Sequence, residues 1–148
     1  MQVYRIPALS DNYVFLLHDP EHNIAAAVDP AEAEPVLRQL QALKAELVAI
    51  FNTHHHPDHV GGNQQLMQHF PQVRVYGGAE DAGRIPGQQV FLTEGSQVEF
   101  AGKVAEVFFI PRTYPRPYRL LFSPRCPRST WGFILRRYIV CRWVRQVV

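Results

Sequence analysis

The 148-residue chain has only two cysteines, Cys126 and Cys141, and they form neither a disulfide framework nor a zinc-type pair. No apolar run approaches the ~20 residues that cross a bilayer. The N-terminal stretch MQVYRIPALSDNYVFLL lacks an unbroken apolar segment with a small-residue cleavage site. These absences lead to the expectation of a cytoplasmic protein without a membrane span. A third absence is local: after Pro111 there is no lysine, no acid and no histidine. Residues 112–148 carry nine arginines, whereas residues 1–111 hold all 13 acids, all 7 histidines and the other six basic residues. The formal charge of +2 thus averages two segments of opposite sign. At this length, with 47% hydrophobic residues, one domain is expected. The composition break assigns it to residues 1–111 and leaves 112–148 as a basic tail without a defined fold.

Residues 1–111 alternate strand and helix signals, an α/β pattern. RIPALSDNYVFLLHD alternates into an apolar run suited to a strand or a hairpin, with Ser10, Asp11 and Asn12 supplying turn chemistry, and NIAAAVDP reads as a short buried strand stopping at Asp29-Pro30. Pro35 suits a helix first turn, and Val36, Leu37, Leu40, Leu43 and Leu47 fall on one helical stripe. ELVAIFNT is the next strand, and GGNQQLMQHF opens a helix with Leu66, Met67 and Phe70 on its apolar face. QVRVYGG is a third strand. QQVFLTEGSQVEF and KVAEVFFIP pair as an antiparallel stretch turning at Ala101-Gly102.

Between the ELVAIFNT strand and the following helix lies THHHPDHVGGN, with His54-x-His56-x-Asp58-His59 in a loop where scaffolds hold functional groups. Imidazole nitrogens and a carboxylate suit zinc and similar ions. Two such ions about 3.5–4 Å apart lower the pKa of a water toward ~7 and polarise a carbonyl, which is hydrolytic chemistry. His55 occupies an x position and reads as a bystander. His18, His22 and His69 are isolated and read as surface or partly buried histidines. Asp29 is either an ordinary strand-end cap or a support behind a metal ligand.

THHHPDHVGGN resembles the T-H-x-H-x-D-H signature of the metallo-β-lactamase fold. IPALSDNYVFLL, AAAVDPAEAEPV and IFNTHHHPDHVGGN together resemble glyoxalase II, the hydroxyacylglutathione hydrolases. The resemblance implies the N-terminal half of an αβ/βα sandwich, in which two sheets pack face to face between helices. It also implies that His54 and His56 bind one metal and Asp58 and His59 a second. The cofactors would be two zinc ions or other divalent transition metals. The implied partner is a small-molecule glutathione thiolester, handled by a monomer, with no nucleic acid and no membrane. The family completes its site with a P-G-H-T-x-x-H segment, a G-D-T-L-F segment and a later histidine, and holds glutathione on a C-terminal helical domain. Here no histidine follows His69 and no acid follows Glu106. Half the donor set and that helical domain are expected to lie outside these 148 residues, which predicts little activity and an exposed second face on the first sheet.

IPRTYPRPY stands where the family has I-P-G-H-T-x-x-H. Joining the last two bases of each codon to the first of the next permits Gly across Arg112 and Thr113, and His across Thr113 and Tyr114. The same reading permits Thr across Tyr114 and Pro115, and His across Pro117 and Tyr118. From Ile134 to Val148 it permits F-C-G-D-T-L-F-A-G-G-C-G-R-L, with one glycine forced by Trp143 and Val144. A net insertion of one base near the Pro111 codon therefore accounts for the arginine-rich tail. Two alternatives are a basic-tailed binding protein, read by salt-sensitive nucleic-acid affinity, and another metallo-β-lactamase-fold hydrolase, disfavoured by the recovered motif.

Overall fold

The structure is a computed structural model that describes residues 1–107 and, as backbone strands alone, 121–122, 133–135 and 139–141. It divides into two compact units, Met1–Phe91 and Leu92–Val148, each described by itself.

A six-stranded sheet in the order β1-β2-β3-β4-β5-β6 organises the first unit. The hairpin of β1 (Gln2–Ala8) and β2 (Asn12–Asp19) is antiparallel, as is β2 with β3 (Ile24–Val28). From β3 onward the pairing turns parallel, through β4 (Glu46–Phe51) to β5 (Arg74–Gly78). Parallel neighbours need crossovers, and the helices supply them: α1 (Ala33–Leu43) between β3 and β4, then α2 (Pro57–Val60) and α3 (Asn63–His69) between β4 and β5. β6 (Gln88–Leu92) closes the order.

One face of the sheet packs against α1 and α3. Val14, Leu16, Ala25, Ala27, Leu47, Ile50 and Val75 meet Val36, Leu40 and Leu66 in a single core. Each fully buried Leu, Ile or Val there contributes about 1.5–3 kcal/mol. Leu47 and Ile50 lie three apart yet both point into this core, because the β3–β4 register slips at Ala25 and Ala26 and Val48 bulges out of the ladder. Leu47 is also where the helical stripe expected from the sequence overran. The helix stops at Leu43, Lys44 turns left-handed at φ 54°, and the Ala45 amide donates to the Leu40 carbonyl. The alternate positions Leu17, Ala26, Val28 and Phe51 are buried too, so the second face is not exposed at these residues.

In the second unit β7 (Gln97–Phe100) and β8 (Lys103–Glu106) form the expected hairpin, turning through Ala101 and Gly102, both at positive φ. Strands β9 (Leu121–Phe122), β10 (Phe133–Leu135) and β11 (Ile139–Cys141) pair in the order β10-β11-β9. The rest of the tail, including IPRTYPRPY from Ile110 onward, lies outside the described residues.

Candidate metal centre

The signature loop leaves the C-terminal end of β4 next to the end of β3, the edge where parallel sheets gather ligands. Asparagines fix its course. The Asn52 side chain donates to the His59 carbonyl (2.9 Å), and Asn63 donates to Asn52 Oδ1 (2.8 Å) and to the Pro86 carbonyl (3.1 Å). From the β1–β2 hairpin, Asn12 donates to the Asp58 carbonyl at 2.6 Å. Glycines let the loop lie flat on the β3 exit. A Cβ on Gly61 would come 2.5 Å from the Ala31 carbonyl oxygen, and one on Gly62 2.8 Å from Pro30 O, the atom that already accepts the Gly62 amide.

Asp29 is the buried centre of this arrangement. Its backbone sits at φ 49°, a left-handed conformation that aspartate tolerates better than most residues. Its carboxylate accepts the Thr53 amide (2.7 Å) and the Thr53 hydroxyl (2.6 Å), and lies 3.0 Å from His59 Nδ1. A hydroxyl has one proton, and Thr53 gives it to the carboxylate, so its lone pairs face His54 Nδ1 at 3.0 Å. The proton of His54 therefore sits on Nδ1. Asp29 Oδ2, 3.0 Å from His59 Nδ1, favours a proton at the same ring position and so leaves Nε2 of both neutral rings to ligate. The strand-end reading of Asp29 is thus incomplete, because the carboxylate reaches two of the four signature residues, one of them through Thr53.

The rings of His54 and His59 lie 4.1 Å apart and those of His54 and His56 4.5 Å apart. Asp58 Oδ2 is 3.3 Å from His59 Nε2. His54 and His59 are buried while His56 and Asp58 face solvent, so each sequence-expected pair combines one anchored and one accessible donor. Burial pushes the His54 imidazole down to about 4, helped by the charge of His59. Burial also opposes charge on His59, but the Asp29 hydrogen bond and the charges of Asp29 and Asp58 outweigh it and leave His59 raised. A neutral His54 is already in its ligating form. The donor types, three imidazoles and one carboxylate, fit divalent transition metals.

His55, at its x position, is tied to residues outside the loop. Nδ1 is 2.7 Å from Asp81 Oδ1, and Arg84 reaches both residues. Asp81 and Arg84 escaped the sequence reading because no spacing rule links them to the loop, whereas the three asparagines stood inside the quoted motifs without a role of their own. His18 is fully buried on β2 and His69 is exposed. His22 bonds Asp19 at 2.6 Å; that hydrogen bond raises His22 and lowers Asp19. With Glu21 these two bring three possible ligand atoms within 4.8 Å at the β2–β3 turn, away from the signature loop.

Among the described residues no helix is long and apolar enough to cross a membrane. The sequence pattern of the metallo-beta-lactamase superfamily matches residues 18–125. The chain is 75% identical over 111 residues to the hydroxyacylglutathione hydrolase of Trichormus variabilis, covering 75% of this chain and 43% of that protein. Against the protein of the same name from Gloeothece citriformis it is 67% identical over 130 residues, covering 88% and 51%. The chain thus spans about half the length of these curated relatives. Among solved structures, the BLEG-1 B3 metallo-beta-lactamase aligns with a TM-score of 0.68 at 20% identity, over 82% of this chain and 67% of that one, a likeness of fold.

Proposed function

The chain belongs to the metallo-beta-lactamase superfamily, and from that premise we propose that its intact form is a glyoxalase II type thiolester hydrolase. It would convert S-(2-hydroxyacyl)glutathione and water to glutathione and a 2-hydroxy acid, as a cytoplasmic monomer with neither nucleic acid nor membrane as partner. The observation that carries this reading is the 75% identity over 111 residues to a protein named for that reaction.

His54 and His56 would hold one divalent ion, and Asp58 and His59 a second, zinc being the expected metal. When bound, the ions would supply an activated water and a polarised thiolester carbonyl. The protein's own part is positional. Thr53 keeps the proton of His54 on Nδ1, Asp29 does the same for His59, and both Nε2 atoms are left to ligate. Asn12, Asn52 and Asn63 set the loop backbone on which Asp58 and His59 ride. The loop stands in a fixed shape, so little ordering is left for the moment of reaction.

The remaining donors are encoded, in our reading, one base out of frame. The match to the Trichormus relative is as long as the segment before Arg112, while that to the Gloeothece relative runs 130 residues, and the neighbouring frame of the tail permits the two missing motifs. Residues 1–111 are then a partial metallo-β-lactamase-like domain and 112–148 an out-of-frame tail. Two donors per ion give weak binding and little or no turnover for the chain as written.

Metal content and S-lactoylglutathione hydrolysis, measured on this chain and on the frame-restored protein read past residue 148, test the proposal. We expect two ions and turnover on the order of 10 per second after restoration. Full activity in the 148-residue chain, or none in the restored one, would sink it.

A further inference from the structure

We infer that His55, Asp81 and Arg84 form a clamp that holds the His54-x-His56 pair in its ligand-presenting shape, making Asp81 and Arg84 positioning residues for the metal centre. The inference rests on the metal-centre reading of the loop.

Of the four signature residues, His54 and His59 are steadied by Thr53 and Asp29, and the backbone of Asp58 by Asn12. His56 is different. It faces solvent, and among the described residues its ring makes no hydrogen bond and is held by edge contacts with His54 (4.5 Å) and His55 (5.1 Å). The orientation of His56 therefore depends on what fixes His55.

His55 turns toward the short 3-10 turn Ala79–Asp81 that follows β5. Its Nδ1 lies 2.7 Å from Oδ1 of Asp81, a carboxylate 1% exposed. Arg84 NH2 lies 2.5 Å from the same oxygen and donates to the Glu80 carbonyl at 2.8 Å, while NH1 lies 3.3 Å from His55 Nε2. A guanidinium only donates, so Nε2 accepts, and the His55 proton resides on Nδ1 and points at Asp81. Both ring nitrogens are consumed inside the clamp, so His55 is not itself a ligand. The backbone closes the ring from below, the Arg84 amide donating to the Asp81 carbonyl at 2.9 Å.

The arrangement is costly. Asp81 Oδ2 is buried and has no hydrogen-bond partner among the described residues, and an unsatisfied buried acceptor is destabilising. Stability alone would favour an apolar contact here. A carboxylate placed to orient the residue between two candidate ligands explains why the cost is borne.

Cobalt(II) titration of the 148-residue chain, read by its visible absorption, tests the clamp beside urea unfolding of the metal-free forms. We expect His55→Ala to weaken cobalt binding about tenfold, the usual size for an outer partner of a metal ligand. Asp81→Asn keeps an acceptor for the His55 proton and should retain most of the affinity. Ring nitrogen NMR of the unsubstituted, metal-free chain should show His55 with its proton on Nδ1. Unchanged cobalt affinity in His55→Ala with a lowered urea midpoint would make the triad merely structural and overturn the inference, as would a proton on Nε2. An unsubstituted chain that binds no cobalt would overturn this inference together with the metal-centre reading beneath it.

Discussion

Residues 1–111 and residues 112–148 draw on different residue sets. The first segment uses acids and histidines as structural and chemical parts: Asp29 organises Thr53 and His59, Asp81 holds His55, and Asn52 locks the loop carbonyl at His59. The second has nine arginines and none of those parts. A segment without acid or histidine cannot ligate a metal through carboxylate or imidazole, nor hold a histidine proton on a carboxylate as Asp29 and Asp81 do. The contrast teaches that the histidines of the signature loop are set in place by residues of the first segment alone.

Substitutions separate the two segments by the size of their effects. In the frame-restored protein, His56→Ala should lower kcat/KM about a thousandfold through loss of a metal donor worth several kcal/mol, checked by steady-state thiolester hydrolysis. In the chain as written, Asp29→Ala strands the Thr53 amide and hydroxyl and the His59 ring, and should lower unfolding free energy by about 3 kcal/mol in urea titration. Gly62→Ala drives a Cβ into the Pro30 and Glu32 backbone, and should cost about 2 kcal/mol in the same assay.

A smaller effect comes from pH in the metal-free protein. His54 stays neutral in the fold down to about 4, whereas the unfolded side chain takes its proton near 6.5, so acidification over that window favours unfolding. His59 has the opposite sign: its raised pKa stabilises the fold below 6.5, and that contribution is lost as pH rises through the folded value. After solvent screening, His54→Gln should remove on the order of 1 kcal/mol of acid-side loss, read from urea midpoints across pH 4 to 8. Arg142→Gln, in the tail, should change stability by less than about 0.5 kcal/mol and leave metal binding unaltered. A large effect there would break the contrast between the segments.

Much of this was legible in the sequence because local rules carry it. Alternation and breakers located β1 through β5 and the β7–β8 hairpin, and the order of donors marked the loop. Where the sequence misled, a non-local cause was at work. Leu47 continued the helical stripe by spacing, but the left-handed Lys44 ended the helix and the β4 bulge returned Leu47 to the core from a strand. His55 looked idle because its partners lie 26 and 29 residues away. For Asp29 the sequence left a strand-end cap and a support behind a metal ligand both open, and its grip on Thr53 and His59 depends on β3 and β4 lying side by side, which no local rule shows.

The most direct test is to sequence the DNA from the Ile110 codon onward and translate the neighbouring frame. The account predicts Gly-His-Thr-x-x-His opposite Arg112 to Tyr118, Gly-Asp-Thr-Leu-Phe opposite Arg136 to Cys141, and an open frame continuing beyond residue 148. Stop codons or unrelated residues in that frame would contradict it, and the arginine-rich segment would then need an explanation of its own.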